Sequence, residues 1–281
     1  MSRPGSTTRT QVIRVRDGKV HSRQKRDDLA TEEPLEIRLC TAHEQQQLVI
    51  TMRTPGADFD LAAGFLVTEG IVQQHDDIVS ISYCVDRDLD EAQRYNVVNV
   101  RLRGDNLPDL QHLKRNFMMS AACGVCGKSS LDALSQRGIP AISSNMQISP
   151  EVIYSLPATM KQAQRLFHKT GGIHAAALFT KTGELLAVRE DVGRHNALDK
   201  LIGWAFLQGM TALNDHILLV SGRASYELVQ KALVMQIPVL CAISAPSSLA
   251  VNLAREFNMT LTGFLRDRDF NLYHDDKRIV L

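Results

Sequence analysis

Long apolar runs are missing from this chain. No stretch approaches the roughly 18 residues that would cross a bilayer, and the opening MSRPGSTTRTQVIRVRDGKV holds no hydrophobic segment of signal-peptide length. The expected location is therefore the cytoplasm, with no membrane partner. Net charge is missing too: 32 Lys plus Arg stand against 31 Asp plus Glu, so no global field draws the protein to nucleic acid or to an anionic surface. Any polyanionic ligand has to be gripped locally. Cysteine is scarce, with five residues at positions 40, 84, 123, 126 and 241. That is too few and too scattered for a disulfide framework in a chain of this length, and a reducing compartment turns a CxxC toward redox, metal or catalytic work. Cys40, Cys84 and Cys241 lie in apolar runs such as PVLCAIS, where a thiol acts as a small hydrophobe.

With 281 residues the chain exceeds the usual single domain of roughly 100 to 200, so two lobes are expected rather than one core. Residues 1–30 are polar and basic and read as a loose, flexible tail. Residues 31–120 form a small α+β lobe: PLEIRLCT and QQLVITMRT alternate as half-buried strands that pair as a hairpin. DFDLAAGFLVTEGIV has helical spacing, with Asp58 as the N-cap, and IVSISYCV and YNVVNVRLR are further strands. Residues 121–149 carry the cysteine loop and a linker.

From residue 150 to 281 helices alternate with short apolar runs. PEVIYSLPATMKQAQRLFH is a helix interrupted or kinked near Pro157, IHAAALFTKTGELLAVRED a hairpin turning at Lys181 to Gly183, and GRHNALDKLIGWAFLQG an amphipathic helix. Strand HILLVSG, helix ASYELVQKALVMQ, strand PVLCAIS, helix SSLAVNLAREFN and strand MTLTGFLR follow. Uninterrupted apolar strands between helices predict an α/β/α layer with a mostly parallel sheet. The element order resembles the cytidine deaminase fold, so the expected class is α/β: a cytidine-deaminase-like C-terminal domain beside a smaller α+β lobe.

The stretch MMSAACGVCGKSSLDAL places Cys123 and Cys126 among glycines, outside any apolar run. A disulfide, a zinc site and a sulfur nucleophile all fit that spacing. Ser129 with Asp132 resembles a capping box, which sets Cys126 just ahead of a helix start. The dipole there, together with Lys128, favours a thiolate. A structural zinc site wants four ligands, and no second CxxC or HxH pair accompanies this one; His174 and His195 are the distant candidates.

Ligands of open α/β sheets sit beyond the carboxyl ends of the strands. Three strands end there in hydroxyls or basic residues: VSGRAS with Ser221, Arg223 and Ser225, ISAPSS with Ser244, Ser247 and Ser248, and GFLRDRD with Arg266 and Arg268. Helix capping alone accounts for serine at such positions, while the three loops together suit a phosphate-bearing ligand. A deaminase would hold zinc through a His or Cys opening one helix and a CxxC opening the next, with a Glu as proton shuttle. Here His195 is followed by Asn196 and Ala197, and GRASYE has no cysteine. In EDVGRH, Asp191, Arg194 and His195 either touch the ligand or the cysteine loop, or serve locally as an N-cap and a satisfied histidine.

The set CGVCG, GGIHAAAL, EDVGRHNALDKLIG, SGRASYELVQKA and SAPSSLAV, with PGADFDLAAGFLVTEGIV earlier, resembles the FdhD family of sulfurtransferases needed to make active formate dehydrogenase. The likeness runs from about residue 33 to 270 and implies a sulfurtransferase. In this family sulfur arrives as persulfide from a cysteine desulfurase and passes to the molybdenum bis(molybdopterin guanine dinucleotide) cofactor, the bound substrate, before the cofactor enters formate dehydrogenase. The resemblance makes Cys123 the persulfide carrier and Cys126 an assisting thiol. It places the cofactor-binding stretch on Phe264, Leu265, Arg266, Asp267, Arg268 and Asp269, beside Ser221 and Arg223 from the strand-end reading. It also implies a homodimer; no tightly held metal is expected, since the paired thiols lack the further ligands of a zinc site. The alternatives are a cofactor-binding chaperone without sulfur chemistry and a zinc-binding, deaminase-like protein.

Overall fold

Alternating apolar residues turn into sheet in two places, and a pair of helices joins them. A computed structural model describes residues 5–84, 95–108 and 138–281. Cys123, Cys126, Ser129 and Asp132 lie outside the described residues.

The first sheet holds β3 (Glu33–Cys40), β4 (Gln45–Arg53), β5 (Ile78–Tyr83) and β6 (Val97–Leu102) in the order β4-β3-β6-β5, with β3 and β6 parallel. Leu35, Ile37 and Leu39 are all fully buried; these alternate residues share one face, which α1 (Asp58–Thr68) covers through Leu61, Ala62 and Leu66. Asp58 does not cap α1 as expected. Ala57 takes that place in the left-handed region, at φ 53, without a side-chain cap. The Asp58 carboxylate is claimed instead by the buried Arg53 guanidinium at 3.1 and 3.2 Å, the Tyr83 hydroxyl at 3.0 Å and the Gly56 amide at 3.2 Å.

Residues 7–30 correct the expectation of a loose tail. They form an antiparallel hairpin of β1 (Thr7–Arg16) and β2 (Lys19–Ala30), in register from Thr7 with Ala30 to Arg16 with Lys19. Asp17 and Gly18 turn it with φ of 50 and 71, the backbone that an Asp-Gly hairpin turn requires. Threonine and valine favour strands without a core to face, and Ile13, Val15 and Val20 stay exposed.

The second sheet has six strands in the order β12-β11-β10-β9-β7-β8. These are β7 (His174–Thr180), β8 (Leu185–Asp191), β9 (His216–Val220), β10 (Val239–Ala242), β11 (Thr260–Arg266) and β12 (Asp269–His274). The α/β class stands, but the sheet is mixed rather than mostly parallel. Only the β9–β10 and β10–β11 pairs are parallel, while the β7–β8 and β11–β12 hairpins and the β7–β9 pair are antiparallel. Short turns, residues 181–184 in one hairpin and 267–268 in the other, force antiparallel pairing, whereas the α5 and α6 crossovers permit parallel pairing.

Four helices pack on this sheet, α2 (Pro150–Ala163), α4 (Arg194–Leu207), α5 (Tyr226–Val234) and α6 (Ser248–Glu256), while the short α3 (Arg165–Thr170) lies against β2. The interruption expected near Pro157 falls at Gln164. There the Glu190 carboxylate on β8 accepts from the Leu166 and Phe167 amides at 2.9 and 2.8 Å and starts α3 afresh. Residues Ile153, Leu156 and Met160 of α2 cover one face with Ala177, Phe179, Leu219 and Leu265.

The two sheets do not enclose separate cores. One buried cluster runs from Leu35 and Val98 through Leu66 and Leu201 to Leu218 and Leu240. Helices α1 and α4 cross inside it so closely that a Cβ on Gly64 would lie 1.8 Å from the Asp199 carbonyl oxygen, and one on Gly203 would lie 1.8 Å from that of Asp60. Glycine is the residue that permits this approach. Among the described residues no helix is long and apolar enough to cross a membrane.

Candidate functional site

The carboxyl ends of β8, β9, β10 and β11 share one edge with the start of β7, because β7 runs against β8 and β9 and pairs His174 with Asp191. Strand β9 leads through residues 221–225 into α5, and β10 leads through residues 243–247 into α6. These loops are tied together. The Ser247 amide donates to the Ala224 carbonyl at 3.0 Å, the Phe264 amide donates to the Ser244 carbonyl at 3.3 Å, and a Cβ on Gly263 would lie 2.9 Å from Pro246 Cδ.

The structure therefore brings the VSGRAS and SAPSS loops and Phe264 together. Arg223 is exposed. Ser221 is used structurally: its amide donates to the Ala175 carbonyl at 2.9 Å and its hydroxyl accepts from the Ala175 amide at 2.9 Å. Ser247 caps α6 by accepting from the Ala250 amide at 3.2 Å. Phe264 sits in the left-handed region at φ 56 and is 40% exposed, a backbone in which a bulky side chain is strained by about 1–3 kcal/mol.

The stretch from Phe264 to Asp269 is divided. Leu265 is fully buried in the core under α2. Arg266, Asp267, Arg268 and Asp269 are exposed at the β11–β12 turn, with Arg266 opposite Asp269 and Asp267 at φ 47. Arg268 leans on α2, 5.1 Å over the Tyr154 ring and 3.7 Å from Glu151 Oε1.

Beside these loops stands a second group, drawn together from the starts of two helices. His195 Nε2 lies 2.6 Å from Glu227 Oε2 and 3.4 Å from the Ser225 hydroxyl, which clamps the first turn of α4 to that of α5. The hydrogen bond from His195 holds the Glu227 carboxyl below its ordinary pKa, against the opposing effect of burial. Burial, then Arg194 and His195, push the His174 imidazole below its ordinary value. Gly222 leaves room for that ring: a Cβ there would lie 3.3 Å from His174 Nδ1.

Asp191 is no N-cap, since Gly193 takes that position. Fully buried, it accepts from the Thr54 amide at 3.0 Å, the Gly193 amide at 2.8 Å and Asn196 Nδ2 at 3.2 Å. It also pairs with the buried Lys200 at 2.6 Å. The signal for this network is the spacing of Asp191 at the end of β8, with Asn196 and Lys200 four residues apart on one side of the helix that follows. Among the described residues no group of His, Cys, Asp and Glu is arranged to hold a metal.

Fold and edge together define a class: an α/β protein of two sheets joined through a helix pair, with hydroxyls, arginines and helix starts gathered at one strand-end edge. The profile of the FdhD/NarQ family matches residues 30–280, and the chain belongs to that family. Relatives named Sulfur carrier protein FdhD include one from Streptomyces avermitilis, 52% identical over 98% of this chain and 96% of its own. Another, from the archaeon Sulfurisphaera tokodaii, is 44% identical over 96% of this chain and 100% of its own. A crystal structure of a candidate formate dehydrogenase accessory protein from Desulfotalea psychrophila shares the fold, with a TM-score of 0.74 and 22% identity over 98% of this chain and 99% of that one.

Proposed function

We propose that this protein is a sulfur carrier serving formate dehydrogenase, a sulfurtransferase that loads sulfur on Cys123. The observation that carries this reading is the near full-length match to relatives named sulfur carriers in a chain that holds the paired thiols of CGVCG. The thiolate of Cys123 attacks the outer sulfur of a desulfurase cysteine persulfide. The S–S bond of the donor breaks, the donor thiolate leaves, and Cys123 becomes the persulfide. Attack by the Cys126 thiolate on Cys123 then releases the outer sulfur as sulfide and leaves a Cys123–Cys126 disulfide, so the electrons balance within the pair.

The molybdenum bis(molybdopterin guanine dinucleotide) that receives the sulfur is the substrate. The strand-end edge suits it: Arg223, Arg266, Phe264 and the loop hydroxyls offer charge, a ring face and hydrogen bonds to a guanine nucleotide. The proposed partners are a cysteine desulfurase, formate dehydrogenase and a second copy of the chain.

The test is intact-protein mass spectrometry after incubation with a cysteine desulfurase and cysteine. The native chain gains one or more sulfur atoms, and Cys123→Ala gains none on the carrier position while still binding guanosine diphosphate. A native chain that gains no sulfur sinks the carrier reading.

A further inference from the structure

The segment from Glu190 to His195 is paired almost atom by atom. Glu190 accepts from two amides of α3, Asp191 from two amides and Asn196 while pairing with Lys200, and the Val192 amide donates to the Thr54 hydroxyl at 3.2 Å. His195 is held by Glu227 at 2.6 Å. Asn196 donates to the Met52 carbonyl at 2.7 Å. Within this segment Arg194 is the exception: its Nε is buried and finds no acceptor among the described residues. No other buried side-chain nitrogen at this edge is left over among the described residues.

A guanidinium cannot shed its protons, and a buried N–H without an acceptor is rare enough in a folded protein to require a reason. Here the backbone that carries Arg194 is fixed on both sides. Asp191 and Thr54 hold the turn before it, and α4 begins at Arg194 itself. The arginine thus stands at the strand-end edge, part-buried, at the first position of α4 and next to His195, which Glu227 holds at 2.6 Å. Glu227, which would repel an anion, is engaged by His195. An acceptor that arrives with the ligand completes the arrangement, and a guanidinium fork favours an oxyanion with two oxygens to offer.

The geometry points to Arg194 as a residue that contacts a phosphate or pyrophosphate oxygen of the ligand bound at this edge. This rests on the edge being the site of the guanine dinucleotide substrate and adds to it a contact outside the stretch from Phe264 to Asp269.

The test is calorimetric titration of the full chain with inorganic pyrophosphate and with guanosine diphosphate. Arg194→Ala is expected to weaken both by about tenfold to a hundredfold, the usual worth of a charged hydrogen bond, with an unchanged thermal melting curve. Arg194→Lys, which keeps the charge but loses the fork, is expected to fall between. Arg103→Ala, an exposed arginine on the other sheet, is expected to bind as the native chain does.

Native affinity for both probes in Arg194→Ala overturns the inference. If the alanine variant does not fold, a folded Arg194→Lys with weakened binding supports it and one with native binding overturns it. A native chain that binds neither probe overturns the nucleotide reading of the edge, and the inference with it.

Discussion

Three thiols belong to the described residues, and burial sets two of them against reactivity. Cys241 on β10 is fully buried, and burial pushes its pKa up to about 12, against a smaller opposing hydrogen bond to Thr262. Burial also raises Cys40, with Arg38 opposing. Nucleophilic attack requires the thiolate, so Cys241 is inert at neutral pH. Iodoacetamide at pH 8 is expected to modify Cys241 only after unfolding, while Cys123 reacts in the native state; peptide mapping that finds a native Cys241 adduct at a comparable rate would contradict this. The same shift gives a sign for stability. The folded-state value lies above the ordinary value of 9.0, so the contribution of the protonated thiol is fully present below about pH 9 and is lost as the pH rises toward 12.

At the scale of elements, the meeting of α1 and α4 is the most demanding contact. Overpacking typically costs about 1–3 kcal/mol, and more where backbone is the obstacle. The atoms in the way of a Cβ at Gly203 are the Asp60 carbonyl group and the Gly64 nitrogen, which no rotamer change can move. Gly203→Ala is therefore expected to destabilise the protein by at least about 3 kcal/mol in urea denaturation, whereas a change under about 0.5 kcal/mol would mean the helices are not so close.

Nothing local in the sequence announces that crossing, since Gly64 and Gly203 look like ordinary helix glycines until their partner helix is known. The strands and helices from β9 to β11 were legible because apolar runs bounded by small residues carry their own periodicity. Hairpin β1–β2 was not: its apolar residues face solvent, so no core pattern marks it, and the Asp17-Gly18 turn was its only signal. Strand β12 was hidden likewise, because DFNLYH takes its place from pairing with β11. The serine and arginine loops of the edge could be read from strand ends alone. The His195–Glu227 pair, Arg194's unpaired Nε and the burial of Leu265 could not, since each depends on residues distant in sequence meeting in space.

Over the whole molecule, polar bonds as well as apolar packing cross between the sheets. Lys200 of α4 donates to the Thr54 carbonyl at 2.8 Å, Arg189 of β8 donates to Asp60 of α1 at 2.8 Å, and Thr68 of α1 donates to Asp199 of α4 at 3.0 Å. Asp199 also pairs with the buried Lys231 of α5 at 2.9 Å. Unfolding one sheet alone would break the Arg189–Asp60 pair, strip hydrogen-bond partners from the buried Lys200 and Asp199 at a cost of about 1–3 kcal/mol for each group left unsatisfied, and expose part of the shared core. An intermediate with one lobe folded is thereby disfavoured, even though chains beyond about 150 residues often populate one. The chain's one tryptophan, Trp204, sits on α4 at the joint, with the Arg189 guanidinium 5.5 Å from its ring. Its fluorescence is expected to change at the same urea midpoint, and with the same steepness, as the far-ultraviolet circular dichroism of both sheets. A fluorescence transition that precedes the loss of secondary structure would mean that the lobes part first and that the shared core does not hold them as one unit.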